Sequence, residues 1–217
     1  MSTPVIVVDA FTTRAFAGNP AAVCVLGEPA ADTWMQRVAG EMNLAETAFL
    51  YPEQDGYRLR WFTPTVEVDL CGHATLASAH VLWSEGHWPP GTVARFYTRS
   101  GCLSAMPEGD RITLDFPATV AEAAEAPGGL LPALGIAACR WLGRSRFDFL
   151  VELEDEAEVR ALRPDYGALA RLPARGVIVT ARARHGAAFD FVSRFFAPGA
   201  GVPEDPVTGS AHCALGP

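Results

Sequence analysis

The sequence predicts a strand, tight turn and helix start used twice along one mixed strand-and-helix chain. Three observations carry this expectation. Arg60-Trp61-Phe62-Thr63-Pro64 returns as Arg194-Phe195-Phe196-Ala197-Pro198, 134 positions on. Each copy then runs into an acidic residue and a Gly-polar-Ala step, through Asp69-Leu70-Cys71-Gly72-His73-Ala74 in one and Glu204-Asp205-Pro206-Val207-Thr208-Gly209-Ser210-Ala211 in the other. The 217 residues also suit one large domain or two lobes of about 100 each. One fixed offset fits a duplication rather than a many-repeat solenoid.

In each copy an aromatic strand end is stopped by Pro, and Gly permits a tight turn. His73 or Ser210 then stands where a helix would begin. The run Ala74 to Trp83 is small and apolar enough for a buried helix. The free N–H groups and positive dipole of such a terminus suit an anion, and two facing termini would hold a carboxylate between the lobes. The plainer reading of either copy alone is an ordinary buried helix with small N-terminal residues.

Taken in order, Val5 to Phe11 is a β-branched strand, Ala17-Gly18-Asn19-Pro20 a turn and Ala21 to Leu26 the next strand. Asp32 is placed as the N-cap of a helix carrying Trp34, Met35, Val38, Ala39 and Met42. After Asn43-Leu44-Ala45-Glu46-Thr47, Ala48 to Tyr51 reads as a strand, and Tyr57 to Phe62 alternates as a half-buried one. The first Gly-His helix follows, then strands at Val93–Tyr97 and Ile112–Phe116. Ala118 to Gly129, rich in Ala, Glu, Pro and Gly, is the linker candidate. Beyond it come a strand at Asp148–Leu153, helical stretches at Glu156–Leu162 and Tyr166–Leu172, and strands at Gly176–Ala181 and Ala188–Ser193. The acidic run Glu152 to Glu156 is expected to be a solvated edge. At Pro217 the second helix has barely started, so the chain is expected to be truncated.

Composition narrows the function classes. Hydrophobic content of 49% with 19% charged residues is ample for a packed core, and 12 Phe, 5 Trp and 4 Tyr supply large buried surfaces. A net charge of −8 argues against nucleic acid or an acidic membrane as partner. Five cysteines with no CxxC pair, behind an N-terminus (Met1 to Val5) unlike a leader, favour reduced thiols in a cytoplasmic protein. No apolar run approaches the length of a membrane span, and no GxGxxG or phosphate loop follows a strand, which disfavours a nucleotide-binding enzyme.

Four motifs together carry a family resemblance: Phe16-Ala17-Gly18-Asn19-Pro20, Asn43-Leu44-Ala45-Glu46-Thr47, Cys71-Gly72-His73-Ala74-Thr75, and Glu204 to Ala211. Over the whole chain, in this order, they resemble the phenazine-biosynthesis isomerase-like family. The resemblance implies the α+β fold shared with diaminopimelate epimerase. That fold has two pseudo-symmetric lobes, each a curved antiparallel sheet wrapped around a central helix. They are expected at residues 1–117 and 118–217, the C-terminal lobe incomplete. It further implies a cofactor-independent isomerase acting on a small anionic metabolite, with a homodimer as its working form.

By the same resemblance Glu46 is the acid/base that removes a proton from one substrate carbon and returns it to another. Such chemistry needs a carboxylate whose pKa partial burial raises, and Glu46 lies among Leu44, Ala45, Ala48 and Phe49. Its plainer reading is a surface Glu at a helix end. His73 would donate to a substrate carboxylate or assist proton transfer, against a capping His. Asp205 would orient a substrate amine or hydroxyl or tune Glu46, against a turn residue before Pro206. Gly72, Gly209 and Ser210 would bind the anionic group, against simple capping. The other histidines make no metal-like pattern with acids or thiols, so no metal is expected.

Cys71 resembles the first of the two facing thiols of diaminopimelate epimerase. The partner position here holds Asp205-Pro206, and Cys213 falls a turn into the second helix. A two-thiol mechanism is therefore disfavoured, and Cys71 is read as a small core residue. An epimerase or racemase acting at a Cα, and an inactive metabolite-binding protein, stand as the rival readings.

Overall fold

A computed structural model describes residues 3–217. Met1 and Ser2, the start of the stretch read as unlike a leader, lie outside the described residues. The elements run β1 (Ile6–Ala10), β2 (Asn19–Val25), α1 (Asp32–Met42), β3 (Glu46–Glu53), β4 (Gly56–Phe62), β5 (Glu67–Val68), α2 (Gly72–Ser84), β6 (Ala94–Thr98), β7 (Gly101–Glu108) and β8 (Arg111–Asp115). They continue through β9 (Glu122–Ala123), α3 (Leu130–Leu134), β10 (Trp141–Arg144), β11 (Asp148–Glu152), α4 (Glu156–Ala161), α5 (Tyr166–Leu169), β12 (Gly176–Arg182), β13 (Phe191–Ala197), β14 (Val202–Asp205) and α6 (His212–Leu215). The chain divides into two compact units, one of Met1–Pro117 with Val207–Ser210, the other of Ala118–Pro206 with Ala211–Pro217. No helix among the described residues is long and apolar enough to cross a membrane.

The first unit holds one sheet in the order β1-β2-β3-β4-β6-β7-β8, with β5 also on β4. Most pairs are antiparallel; β2–β3 and β4–β6 are parallel. One face takes α1, whose Met35 and Ala39 pack with Cys24, Phe49 and Phe62. Edge-to-face stacking of Phe49 on Phe62 at 5.6 Å and of Trp34 on Phe49 at 5.9 Å locks that layer. Helix α2 packs on β1, β2 and β3. Its Ala-, Ser- and Thr-rich sequence is buried on nearly every side, and short side chains allow the close approach a central helix needs. Asp32 is the first helical residue of α1; Ala31 holds the cap position and no side chain caps it. The other end follows the usual chemistry, with Asn43 at φ 50° returning its N–H to the Ala39 carbonyl.

The second unit has its own sheet, β14-β13-β12-β11-β10-β9, antiparallel except for β11–β12. Both faces are covered, so β11 and β12 read as continuous apolar runs. Phe149, Val151, Val177 and Val179 meet Leu130, Leu134, Val159, Leu162 and Leu169 of the helical side. Leu150 and Ile178 face the other way, with Phe195, Ala211 and Ala214. Strands β7 and β10 were not anticipated from the sequence. Ala188–Asp190, expected as strand, precedes β13, which runs on through Phe195 and Phe196. The acidic run departs from its expectation at Glu156, which is buried and bonded to Arg160 at 2.7 Å. Its i,i+4 position on α4 brings the guanidinium over it.

The duplicated Arg-aromatic-Phe motif has a physical meaning in each unit. Arg60 in β4 grips Glu67 of β5 through two nitrogens at 2.8 and 2.7 Å and lies over Phe62 at 5.2 Å. Arg194 in β13 grips Glu204 of β14 at 2.7 and 2.8 Å and lies over Phe196 at 4.9 Å. A bidentate bond on one side and an aromatic face below fix the short strand to its neighbour. In the second unit the bond from Arg194 also holds the Glu204 carboxyl below its usual range.

Elsewhere Arg175 donates to Asp148 at 2.9 Å and is stacked on Phe147 and Phe195, with both partners largely buried. Removing one partner of such a pair leaves the other charge short of its counter-ion. Asp148→Ala is expected to cost about 3 kcal/mol, read as a lower urea midpoint at unchanged slope.

Candidate active site

The site grows from the parallel pairing of β2 and β3, which sets Ala21 opposite Glu46. Glu46 is therefore the first residue of a strand rather than a helix end, and its side chain is 14% exposed. Helix α2 begins at Gly72 with Cys71 extended before it and no side chain capping the end. His73, its second residue, is only 1% exposed.

Three groups surround that imidazole. Its Nε2 lies 3.5 Å from a Glu46 carboxylate oxygen, its Nδ1 lies 3.5 Å from the Cys71 sulfur, and the ring also hydrogen-bonds the Pro20 backbone. Burial lowers the His73 pKa to about 4, partly opposed by the Pro20 bond, so the ring is neutral at neutral pH. A neutral ring gives the carboxylate no counter-charge, and the first turn of α2 carries no acidic side chain. The N–H groups of that turn remain a positive helix end suited to an anion.

The segment Val207–Ser210 completes the first unit. Asn19, fully buried, donates its amide to the Val207 carbonyl at 3.0 Å. Gly72 and Gly209 meet backbone to backbone. A Cβ on Gly72 would stand 2.5 Å from the Gly209 Cα, and one on Gly209 would stand 2.7 Å from the Gly72 Cα. Here the glycine pair is required by space. Gly18, which leads into Asn19, is required by conformation as well: its φ is +105°, and a Cβ there would stand 2.2 Å from the Ala10 carbonyl oxygen.

The structure thus gathers Glu46, Gly72, His73, Gly209 and Ser210 in one unit. Asp205 is the last residue of β14 in the second unit, buried and opposite Phe195. Ser210 does not start a helix as expected, because α6 is a four-residue helix with Ala211 at its cap position. Pro206 and the turn at Val207–Ser210 separate it from β14. Sequence reasoning missed the parts of Asn19 and Pro20, although both stand in the Phe16–Pro20 motif. It also read Cys71 as core packing alone: the thiol is buried, and it also faces the histidine.

A mixed sheet packed on a buried helix in the first unit, and a second mixed sheet with its own helices in the other, make an α+β fold. A predicted epimerase from Pseudomonas aeruginosa shares this fold with a TM-score of 0.73 at 21% identity, over 97% of this chain and 78% of its own. A family model described as phenazine biosynthesis-like protein matches residues 8–217. An uncharacterized isomerase of Halalkalibacterium halodurans is 54% identical over 100% of this chain and 82% of its own length. The crystal structure of a PhzF-family phenazine biosynthesis protein from Enterococcus faecalis has a TM-score of 0.85 at 43% identity, covering 100% of this chain and 82% of that one. The chain belongs to the phenazine biosynthesis-like protein family.

Two outcomes follow from this geometry. Gly209→Ala forces two backbones apart and is expected to cost about 1–3 kcal/mol, measured by chemical denaturation. The second concerns pH. Above pH 6.5 the His73 ring is neutral whether the chain is folded or not. Between there and about 4 the unfolded chain takes up a proton that the folded one refuses, so stability falls as pH falls. The loss reaches roughly 3 kcal/mol, and a His73→Gln variant should lose correspondingly less than the wild type between pH 7 and 4.

Proposed function

We propose that this protein is a cofactor-independent isomerase that moves a proton between carbons of a small carboxylate-bearing metabolite. Glu46 is the group that takes the proton and returns it. The observation that carries this reading is its place: a largely enclosed carboxylate, 3.5 Å from a neutral buried imidazole at the uncapped start of α2. A base in such a setting has no fixed counter-charge from the ring and sits beside N–H groups that suit the substrate's anionic end. His73 steadies the carboxylate or a substrate carboxylate. Gly72, Gly209 and Ser210 receive the anion through backbone N–H and hydroxyl, and Asp205 orients a substrate amine or hydroxyl. The isomerase name carried by a relative 54% identical over the whole chain supports the reaction class. The same reading takes the working form as a cytoplasmic homodimer engaged in biosynthesis.

The test begins with a screen of small carboxylates for ligands that raise the melting temperature. Each ligand found is then incubated in deuterated water and followed by NMR for isomerisation and label uptake. Glu46→Gln should bind the same ligand and lose turnover by about 10²–10⁴-fold. Full turnover in that variant sinks the assignment.

A further inference from the structure

Glu46, Cys71 and His73 each bring a different metal-binding atom to one place. A carboxylate oxygen, a thiol sulfur and an imidazole nitrogen all lie within 4.8 Å of one another. Among the described residues this is the one place where three such side chains gather. The separations are close to those a small soft cation demands. Tetrahedral zinc, with ligands about 2.0–2.3 Å away, spaces its donors roughly 3.3–3.7 Å apart. Here sulfur and Nδ1 stand 3.5 Å apart, as do Nε2 and the carboxylate oxygen. A cation takes one of the two nitrogens, so one of these spacings is already in place, and the other two pairs, within 4.8 Å, each have about 1 Å to close.

A second feature of the site points the same way. The Nε2 atom of His73 is buried and makes no hydrogen bond. An imidazole nitrogen shut away from water and aimed at a carboxylate is a ready ligand, whereas in a purely structural role it would have a donor or acceptor in line. Cys71 and His73 are fixed by the same helix start, so two of the three donors are pre-placed. The Glu46 side chain is 14% exposed, and zinc held by three protein donors takes water as its fourth ligand.

We propose that Glu46, Cys71 and His73 form a binding site for a thiophilic divalent cation of the zinc type, and that its occupancy switches the proposed proton transfer off. Binding displaces the thiol proton to solvent and makes a metal–sulfur bond, with no change in oxidation state. The carboxylate that would take the substrate's proton becomes a metal ligand. The binding half stands on the donor geometry alone; the inhibitory half rests on the function proposed for Glu46.

The two halves are tested separately. Purified metal-free, untagged protein is titrated with Co²⁺, whose bond to a thiolate gives a near-ultraviolet charge-transfer band, and then with Zn²⁺ in competition. One Co²⁺ per chain is expected, with a thiolate band that Zn²⁺ erases. Cys71→Ser should abolish the band, and His73→Gln should weaken Zn²⁺ binding by more than the roughly 10–100-fold that loss of an outer-shell partner costs. Absence of the band, or a band that survives in Cys71→Ser and disappears in Cys102→Ser, overturns the site. If a variant fails to fold, the wild-type stoichiometry and the protection of Cys71 from alkylation by Zn²⁺, read by mass spectrometry, decide in its place. Zn²⁺ that binds at Cys71 yet leaves turnover intact overturns the inhibition and the role of Glu46, while the site itself stands.

Discussion

The contact on which the site depends is the approach of two peptide backbones at Gly72 and Gly209. No side chain can be added to either without moving main chain. Everything nearby is set by that constraint. Gly72 fixes where α2 starts, and the start of α2 fixes Cys71 on one side and His73 on the other. The parallel register of β2 with β3 then delivers Glu46 to the ring and Pro20 to its edge. A helix made of small residues is what lets these parts come so close, since bulk at Ala74, Ala77 or Ser78 would lift α2 from the sheet.

The repeated motif was legible because it is a statement about electrostatics as much as about shape. An arginine that must lie on a phenylalanine and also reach a carboxylate on the next strand constrains three positions at once, and both units use it. What the sequence did not mark was which acid answers. The residues gripped are Glu67 and Glu204, and their spacing from the arginine differs because β5 and β14 return by different loops. Strongly periodic or β-branched runs gave their elements away. Strand β7, Gly-Cys-Leu-Ser-Ala-Met-Pro-Glu, has weak strand propensity and owes its conformation to ladders with β6 and β8 on either side. The same holds for β10, where Gly143 stands between β9 and β11.

At the site the division is similar. Glu46 and His73 were recognisable from motifs, but their meeting was not, because 27 positions and a parallel strand pairing separate them. Spacing along the chain likewise argued against a cation, since the other histidines make no metal-like pattern with acids or thiols. The third donor is supplied by the fold. Cys71 shows why burial is a poor guide to idleness: the thiol is shut away and yet touches the ring at the centre of the site.

The membership of Val207–Ser210 in the first unit has a consequence for how the chain is made. Asn19 waits for a carbonyl 188 positions later, and Gly72 waits for Gly209. The sheet of the first unit can pair early, since its hairpins are local, but the candidate site cannot close until Val207–Ser210 have been synthesised. Until then the first unit is a scaffold in which the carboxylate and the imidazole already stand while the backbone that closes over the helix start is missing.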